Sequence, residues 1–280
     1  MSFKNFYGFP LILILAFSLV GCQIQPQEKQ LYVSLMIDGE RDDAQNLINI
    51  TSELQRRKLK ATIYATADYA NKNAQVFEEI YNAGFEIGFH GYYSGEQLAT
   101  MTQAEQKALL TRGREAIEGC VDCGDFKAVS GFKPQYYSMN EDTLSVLDEL
   151  GMEYIADILP GKSPFENYAE TNTPFKIEGH SLYAVPITTM EYNGTTIHLC
   201  DIACALAYNM TPEQWLDSLT TAMEQAIENK TPLVVNFHGW YTGDKVQYNY
   251  WQPFVKFLDA AAVKAEFVTN GELVKLYKAK

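Results

Sequence analysis

Asp38, His90 and His238 are the residues of this chain best placed to do chemistry. Each stands directly after a short apolar run, over 31–37, 86–89 and 232–237. Runs of that length, rich in β-branched and aromatic residues, read as buried strands. One carboxylate and two imidazoles therefore follow three strand C-termini, a set able to bind a divalent metal or to move protons. Each has a plainer reading alone. Asp38 before Gly39 suits an ordinary turn, and a single His after a strand is commonly structural. More acids lie close by in sequence: Glu40, Asp42 and Asp43 beyond Asp38, and Glu96 beyond His90. All four serve equally well as solvated loop charges. His180 and His198, in apolar strand-like stretches, read as structural.

The elements that must position these groups alternate in type. The pattern predicts strands over 31–37, 61–66, 86–89, 128–132, 232–237 and 266–269. Helices are predicted over 44–58, 73–83, 140–150 and 253–263, with a last one from Asn270. Thr102 with Glu105, and Thr211-Pro212-Glu213-Gln214, are capping-box starts for helices ending near Gly119 and Asn229. Alternation of this kind implies a parallel sheet with helices outside it. Periodicity does not distinguish an open sheet from a closed barrel. Placement of all three candidate groups at strand C-termini favours a (β/α) barrel, where that face carries the site. No repeat or second linker breaks the run.

The stretches Ser34-Leu35-Met36-Ile37-Asp38-Gly39, Gly84-Phe85-Glu86-Ile87-Gly88-Phe89-His90 and Val235-Asn236-Phe237-His238 resemble the motif loops of the metal-dependent polysaccharide deacetylases, the NodB-homology family of carbohydrate esterases. Leu59-Lys60-Ala61-Thr62-Ile63-Tyr64-Ala65-Thr66 is close to that family's V-K-A-T-F-F-V-T. The resemblance covers residues 31–280 and implies the family's deformed (β/α) barrel, with seven strands. It also implies hydrolysis of an N-acetyl group on a glycan or peptidoglycan. A metal held by an Asp-His-His set polarises the carbonyl and its water, an Asp acts as base, an Arg orients that Asp, and a His is the acid.

Carried over by position, the resemblance makes Asp38 and His90 metal ligands and His238 the acid, with Asp157 as its supporting carboxylate. Lys133, in Lys133-Pro134-Gln135-Tyr136, replaces the Arg of R-P-P-Y. Two positions depart further. Ile37 stands where the base Asp of T-F-D-D-G belongs, and an alkane cannot take a proton. Ser94 replaces the second His of H-[S/T]-x-x-H, and a neutral hydroxyl is a poor ligand for zinc. Lys also lacks the planar fork that clamps a carboxylate. The expectation is a degenerate site with weak or no hydrolysis. The alternatives are an active deacetylase or amidohydrolase rebuilt with Glu40, Asp42, Asp43 or Glu96, and a non-catalytic envelope scaffold. Zinc is the implied metal if the site is active, and no metal if it is not. Tyr92, Tyr93, Tyr136, Tyr137, Trp240 and Tyr241, with Tyr248, Tyr250 and Trp251 nearby, suit stacking on sugar faces. They equally suit packing of a barrel rim.

Residues 1–21 read as a lipoprotein signal peptide, with Lys4 ahead of an apolar run that is short for a membrane span. Leu19-Val20-Gly21-Cys22 resembles a lipobox, which implies a lipid on Cys22 and a polar tether over 22–30. The expected place is the cell envelope outside the cytoplasm, at the outer membrane or periplasmic face in a Gram-negative cell, with membrane contact through the anchor only. Loss of Lys4 takes the formal charge from −13 to −14, which disfavours nucleic acid as a partner. Besides Cys22 the chain has Cys120, Cys123, Cys200 and Cys204. In an oxidising compartment these favour disulfides, within each pair or across them, over a four-thiolate zinc site.

Overall fold

The computed structural model describes residues 31–41, 44–120 and 129–279. The expected signal peptide and tether over 1–30 with Cys22, and Asp42, Asp43 and Cys123, lie outside the described residues. In chain order the elements are β1 (Leu31–Gly39), α1 (Ala44–Arg56), β2 (Thr62–Ala65), α2 (Ala67–Lys72), α3 (Ala74–Asn82), β3 (Glu86–Phe89) and α4 (Gln103–Cys120). There follow β4 (Gly131–Phe132), α5 (Glu141–Glu149), β5 (Tyr154–Ile158), β6 (Phe175–Lys176), β7 (Tyr183–Pro186) and the pair β8 (Thr189–Tyr192) and β9 (Thr195–His198). The chain ends with α6 (Pro212–Asn229), β10 (Leu233–His238), α7 (Gly239–Thr242), α8 (Trp251–Lys264), β11 (Ala265–Phe267) and α9 (Asn270–Lys278).

Seven parallel strands form the wall in the order β10-β1-β2-β3-β4-β5-β7, the expected barrel. β6 adds an antiparallel edge to β7, and β11 pairs with the start of β1. Between β7 and β10 the wall is joined by irregular backbone. Thr188 N–H donates to Val234 O at 3.0 Å, and Cys200 bridges Asn236 in parallel. The hairpin β8–β9 stands apart from this sheet.

Strand alternation sorts the side chains of β1 into two environments. Val33, Leu35 and Ile37 pack into the apolar layer that also buries Leu47, Ile50 and Leu54 of α1. Met36, on the opposite face, joins Tyr64, Tyr154, Val185 and Val234 in the barrel interior. The Tyr64 hydroxyl donates to that of Tyr154 at 3.3 Å, and the two rings fill the lumen. Gly88 is required beside them, since a Cβ there would lie 2.5 Å from the Tyr64 ring. With the lumen plugged below, polar residues are displaced to the mouth at the strand C-termini. The capping boxes at Thr211 and, beyond those expected, at Asn140 and Thr269 fix the starts of α6, α5 and α9.

Candidate active site at the barrel mouth

Asp38, at the end of β1, is only 1% exposed. One of its oxygens, Oδ2, meets four nitrogens: Lys133 Nζ at 2.7 Å, Asn236 Nδ2 at 3.1 Å, His238 Nε2 at 3.3 Å and His90 Nε2 at 3.9 Å. Burial alone would raise this carboxyl, but the Lys133 ammonium, then His90 and His238, hold it far below the usual carboxylate range. Lys133 Nζ also reaches Asp157 Oδ2 at 3.1 Å. Against burial, the charges of Asp157 and Asp38 push the ammonium above its ordinary value. Asp157 has φ 62 and sits where the β5–β7 register shifts between Ala156 and Ile158. A bulge of this kind re-aims a side chain, and here the Asp157 carboxylate comes to Lys133.

The structure corrects three roles carried over by resemblance. Ile37 does not occupy a vacated base position, because its side chain packs in the apolar layer outside the barrel. Asp38 is gripped by Lys133, the residue that stands in place of the R-P-P-Y Arg, rather than left open toward a metal. Asp157 belongs to Lys133, and the carboxylate that holds His238 is Asp201. His238 Nδ1–H donates to Asp201 Oδ1 at 2.7 Å, and His238 N–H to Oδ2 at 2.8 Å. Thr242 Oγ1 and Ile202 N–H complete the four donors to this acid. Burial would push His238 down, but Asp201 by charge and hydrogen bond, then Asp38, raise it well above the ordinary imidazole value. The Asp201 contact thus favours the protonated ring. Asp201 had no motif signal, and tertiary contact alone places it 37 residues before its His.

His90 Nδ1–H donates to Lys133 O at 2.8 Å, since a carbonyl can only accept. That leaves Nε2 as a lone pair facing Asp38, the tautomer a metal-binding His adopts. Burial keeps the ring below its usual value and neutral. The next acid on the inward face of β1 is Glu40. It accepts Ser94 Oγ at 3.0 Å, Arg41 at 3.1 Å and Trp240 Nε1 at 3.3 Å. Its pKa is lowered; burial opposes this, and His90 is the largest contributor in favour. Glu96 instead caps its own loop, accepting the Tyr92 and Tyr93 N–H groups at 2.7–3.1 Å. Burial raises this carboxyl.

The donor set does not fit the family's metal. Asp38 is spent on Lys133 and Asn236, Ser94 supplies only a hydroxyl that donates to Glu40, and His90 alone presents a bare imidazole nitrogen. A catalytic zinc needs about three protein ligands. Among the described residues one Cys/Asp/Glu/His triad is compact enough, Cys200, Asp201 and His238, with ligand atoms within 4.8 Å of one another. There too the Asp201 oxygens are already filled by four hydrogen bonds.

The aromatic candidates divide. Tyr136 is 62% exposed, Tyr93 is exposed and Trp240 is half-buried under Arg41. Tyr136 and Tyr137 both have positive φ, 53 and 55, a conformation that costs a non-glycine residue about 1–3 kcal/mol. Tyr137 packs edge-on against His198, and Tyr92 lies beneath the Arg112 guanidinium. Tyr241 is a correction: buried between Tyr248 and Tyr250, it packs the rim and is closed to a ligand. Of the expected disulfides, only a pairing among Cys120, Cys200 and Cys204 falls within the described residues, and none is formed there. Cys120, Cys200 and Cys204 are free thiols. Cys204 N–H donates to Cys200 O, so the two lie one helical turn apart. At that spacing Cβ atoms are about 5–6 Å apart, too far for a bond that needs about 3.8 Å. Cys204 Sγ turns to His198 O, and Cys120 Sγ to Asn71 on the outer layer.

Residues 26–155 match the family model described as polysaccharide deacetylase. That match covers 130 of the 280 residues, and together with the barrel it makes the chain similar to the polysaccharide deacetylases. The solved structures it is similar to include a probable polysaccharide deacetylase from Pseudomonas aeruginosa, 15% identical, with TM-score 0.72 over 91% of this chain and 93% of that one. Puue allantoinase is 14% identical with TM-score 0.73 over 91% and 93%. A family 4 carbohydrate esterase pseudoenzyme from Bacillus anthracis is 16% identical with TM-score 0.54 over 89% and 66%. At these identities the likeness is one of fold. No curated protein matches the chain significantly.

Proposed function

We propose that this protein is a lipid-anchored, envelope-facing deacetylase-family protein that engages an N-acetylated glycan at the barrel mouth, with the family's metal-dependent hydrolysis weak or lost. One observation carries the reading: Asp38 Oδ2 is already surrounded by Lys133, Asn236, His238 and His90 nitrogens. An internal ammonium neutralises the carboxylate that the resemblance would give to a metal. The exposed rings of Tyr93 and Tyr136 beside this cluster supply faces for sugar stacking. Loss of activity on this fold has a parallel in the pseudoenzyme, of which a mutant with restored enzymatic activity is also solved. Cys22 would carry the anchor and residues 22–30 the tether, facing peptidoglycan or another acetylated polysaccharide.

The test is metal analysis of protein purified without chelator, together with acetate release from acetylated chitooligosaccharides. The expected result is far less than one metal per chain and slow release that chelator does not change. Ser94→His should raise zinc affinity by at least 10-fold, because His90 then gains a second imidazole in place of a hydroxyl. Stoichiometric metal and chelator-sensitive release in the wild type would overturn the reading.

A further inference from the structure

We infer that Cys200, His238 and Asp201 form a thiol nucleophile able to accept an acyl group, a second chemistry at the mouth that needs no metal. The three sit together although they come from two segments. Asp201 directly follows Cys200 at the join between β7 and β10, where Cys200 bridges Asn236 beside β10. One ligand atom of each lies within 4.8 Å of the others. The three residue types are those of a nucleophile, a base and an orienter. Asp201 fixes the His238 ring through Nδ1 at 2.7 Å and is itself locked by Thr242 and Ile202. Asn236 Nδ2 points at Cys200 Sγ from 3.8 Å.

The alternative use of the same trio, as a metal site, is disfavoured by that bonding. All four acceptor positions of Asp201 are filled, and its contact to His238 is a hydrogen bond rather than two ligands facing a shared ion. Asn236, which reaches the sulfur, also bonds Asp38 Oδ2, the oxygen on which Lys133 and His238 converge. Cys200 keeps 7% exposure, whereas Cys204 is fully enclosed and burial raises its thiol.

The chemistry balances without a further reactant beyond water. The Cys200 thiolate attacks the carbonyl carbon of an N- or O-acyl group, forming the S–C bond. The C–N or C–O bond breaks as the His238 imidazolium gives its proton to the departing nitrogen or oxygen. The now neutral His238 takes a proton from water, whose oxygen attacks the thioester. The S–C bond breaks, the thiolate is restored beside the imidazolium, and the acid is released.

The purified protein, treated with p-nitrophenyl acetate and separately with an N-acetylated chitooligosaccharide, is quenched in acid and digested for mass spectrometry. An acetyl group on the Cys200 peptide from p-nitrophenyl acetate, with a burst of nitrophenol, is the expected result. Cys200→Ala should abolish both and Cys204→Ala should leave both. His238→Gln should slow the burst by about 10²–10⁴-fold. A burst surviving in Cys200→Ala, or no adduct on Cys200 in the wild type, would overturn the inference. Should Cys200→Ala misfold, iodoacetamide labelling of the wild type decides the matter. Cys200 should react at least 10-fold faster than Cys204 and lose that lead in His238→Gln, and equal rates would sink the idea. The inference rests on the proposed binding only for the glycan substrate. An adduct from the ester without one from the oligosaccharide upholds the thiol site while removing the glycan reading.

Discussion

Two clusters share the mouth of this barrel and handle charge differently. On one side Lys133 lies between Asp38 and Asp157, all three nearly fully buried, and the charges satisfy one another. On the other, Asp201 holds His238 from behind through Nδ1, and the ring's Nε2 faces the shared centre 3.3 Å from Asp38. The first arrangement removes a carboxylate from chemistry, because an anion stabilised so strongly is a poor proton acceptor. The second keeps a proton ready. One barrel mouth can thus hold a charge-neutralised cluster and a hydrogen-bonded His–Asp pair side by side.

The largest effect that would test this contrast comes from Ile37→Asp. Position 37 faces the apolar layer, so the new carboxylate would be buried without a partner. A loss above about 4 kcal/mol, or failure to fold, is expected in urea unfolding. A stable variant with gained metal affinity would mean that residue 37 reaches the mouth after all. Next comes Lys133→Met, which leaves Asp38 and Asp157 buried without their cation. About 3–5 kcal/mol should be lost at neutral pH, with part of it recovered on acidification as the carboxylates protonate. No pH-dependent recovery would show that the cost was packing rather than charge.

The wild-type pH profile separates the two clusters. Asp38 has a depressed folded pKa, so its contribution is present above the ordinary value of 3.8 and is lost as pH falls toward the folded one. His238 has a raised folded pKa. Its contribution is complete below the ordinary 6.5 and is lost as pH rises through the folded value. Tm should therefore fall at both ends, and His238→Gln should flatten only the alkaline limb. The smallest effect concerns the rim. Tyr136→Gly relieves a left-handed φ of 53 at a 62% exposed residue. Stability should be unchanged or rise by about 1 kcal/mol, while retention on acetylated chitin falls. Unchanged retention would remove Tyr136 from the binding surface.

The sequence was most legible where elements are long or their ends are signalled. β3 begins and ends where the apolar run predicts, and the capping residues of α6 announce its start. The stretch from β5 to β9 was less legible, because its short strands follow one another without the intervening helices that delimit β2 and β3. Motif matching found Asp38, His90, Lys133 and His238, which the structure does bring together. It misassigned their partners.

By itself the sequence determined that a parallel α/β sheet with outer helices would form and which strand ends would carry polar groups, since local periodicity and turn chemistry are properties of contiguous residues. Which carboxylate meets which cation was decided only by the tertiary structure. Strand alternation turned Ile37 out and Asp38 in, a bulge swung Asp157 to Lys133, and closure between β7 and β10 brought Asp201 and Cys200 to His238. Asp157 and Lys133 are 24 positions apart, Asp201 and His238 37, and Asp38 and Asn236 198, and no local signal reaches that far.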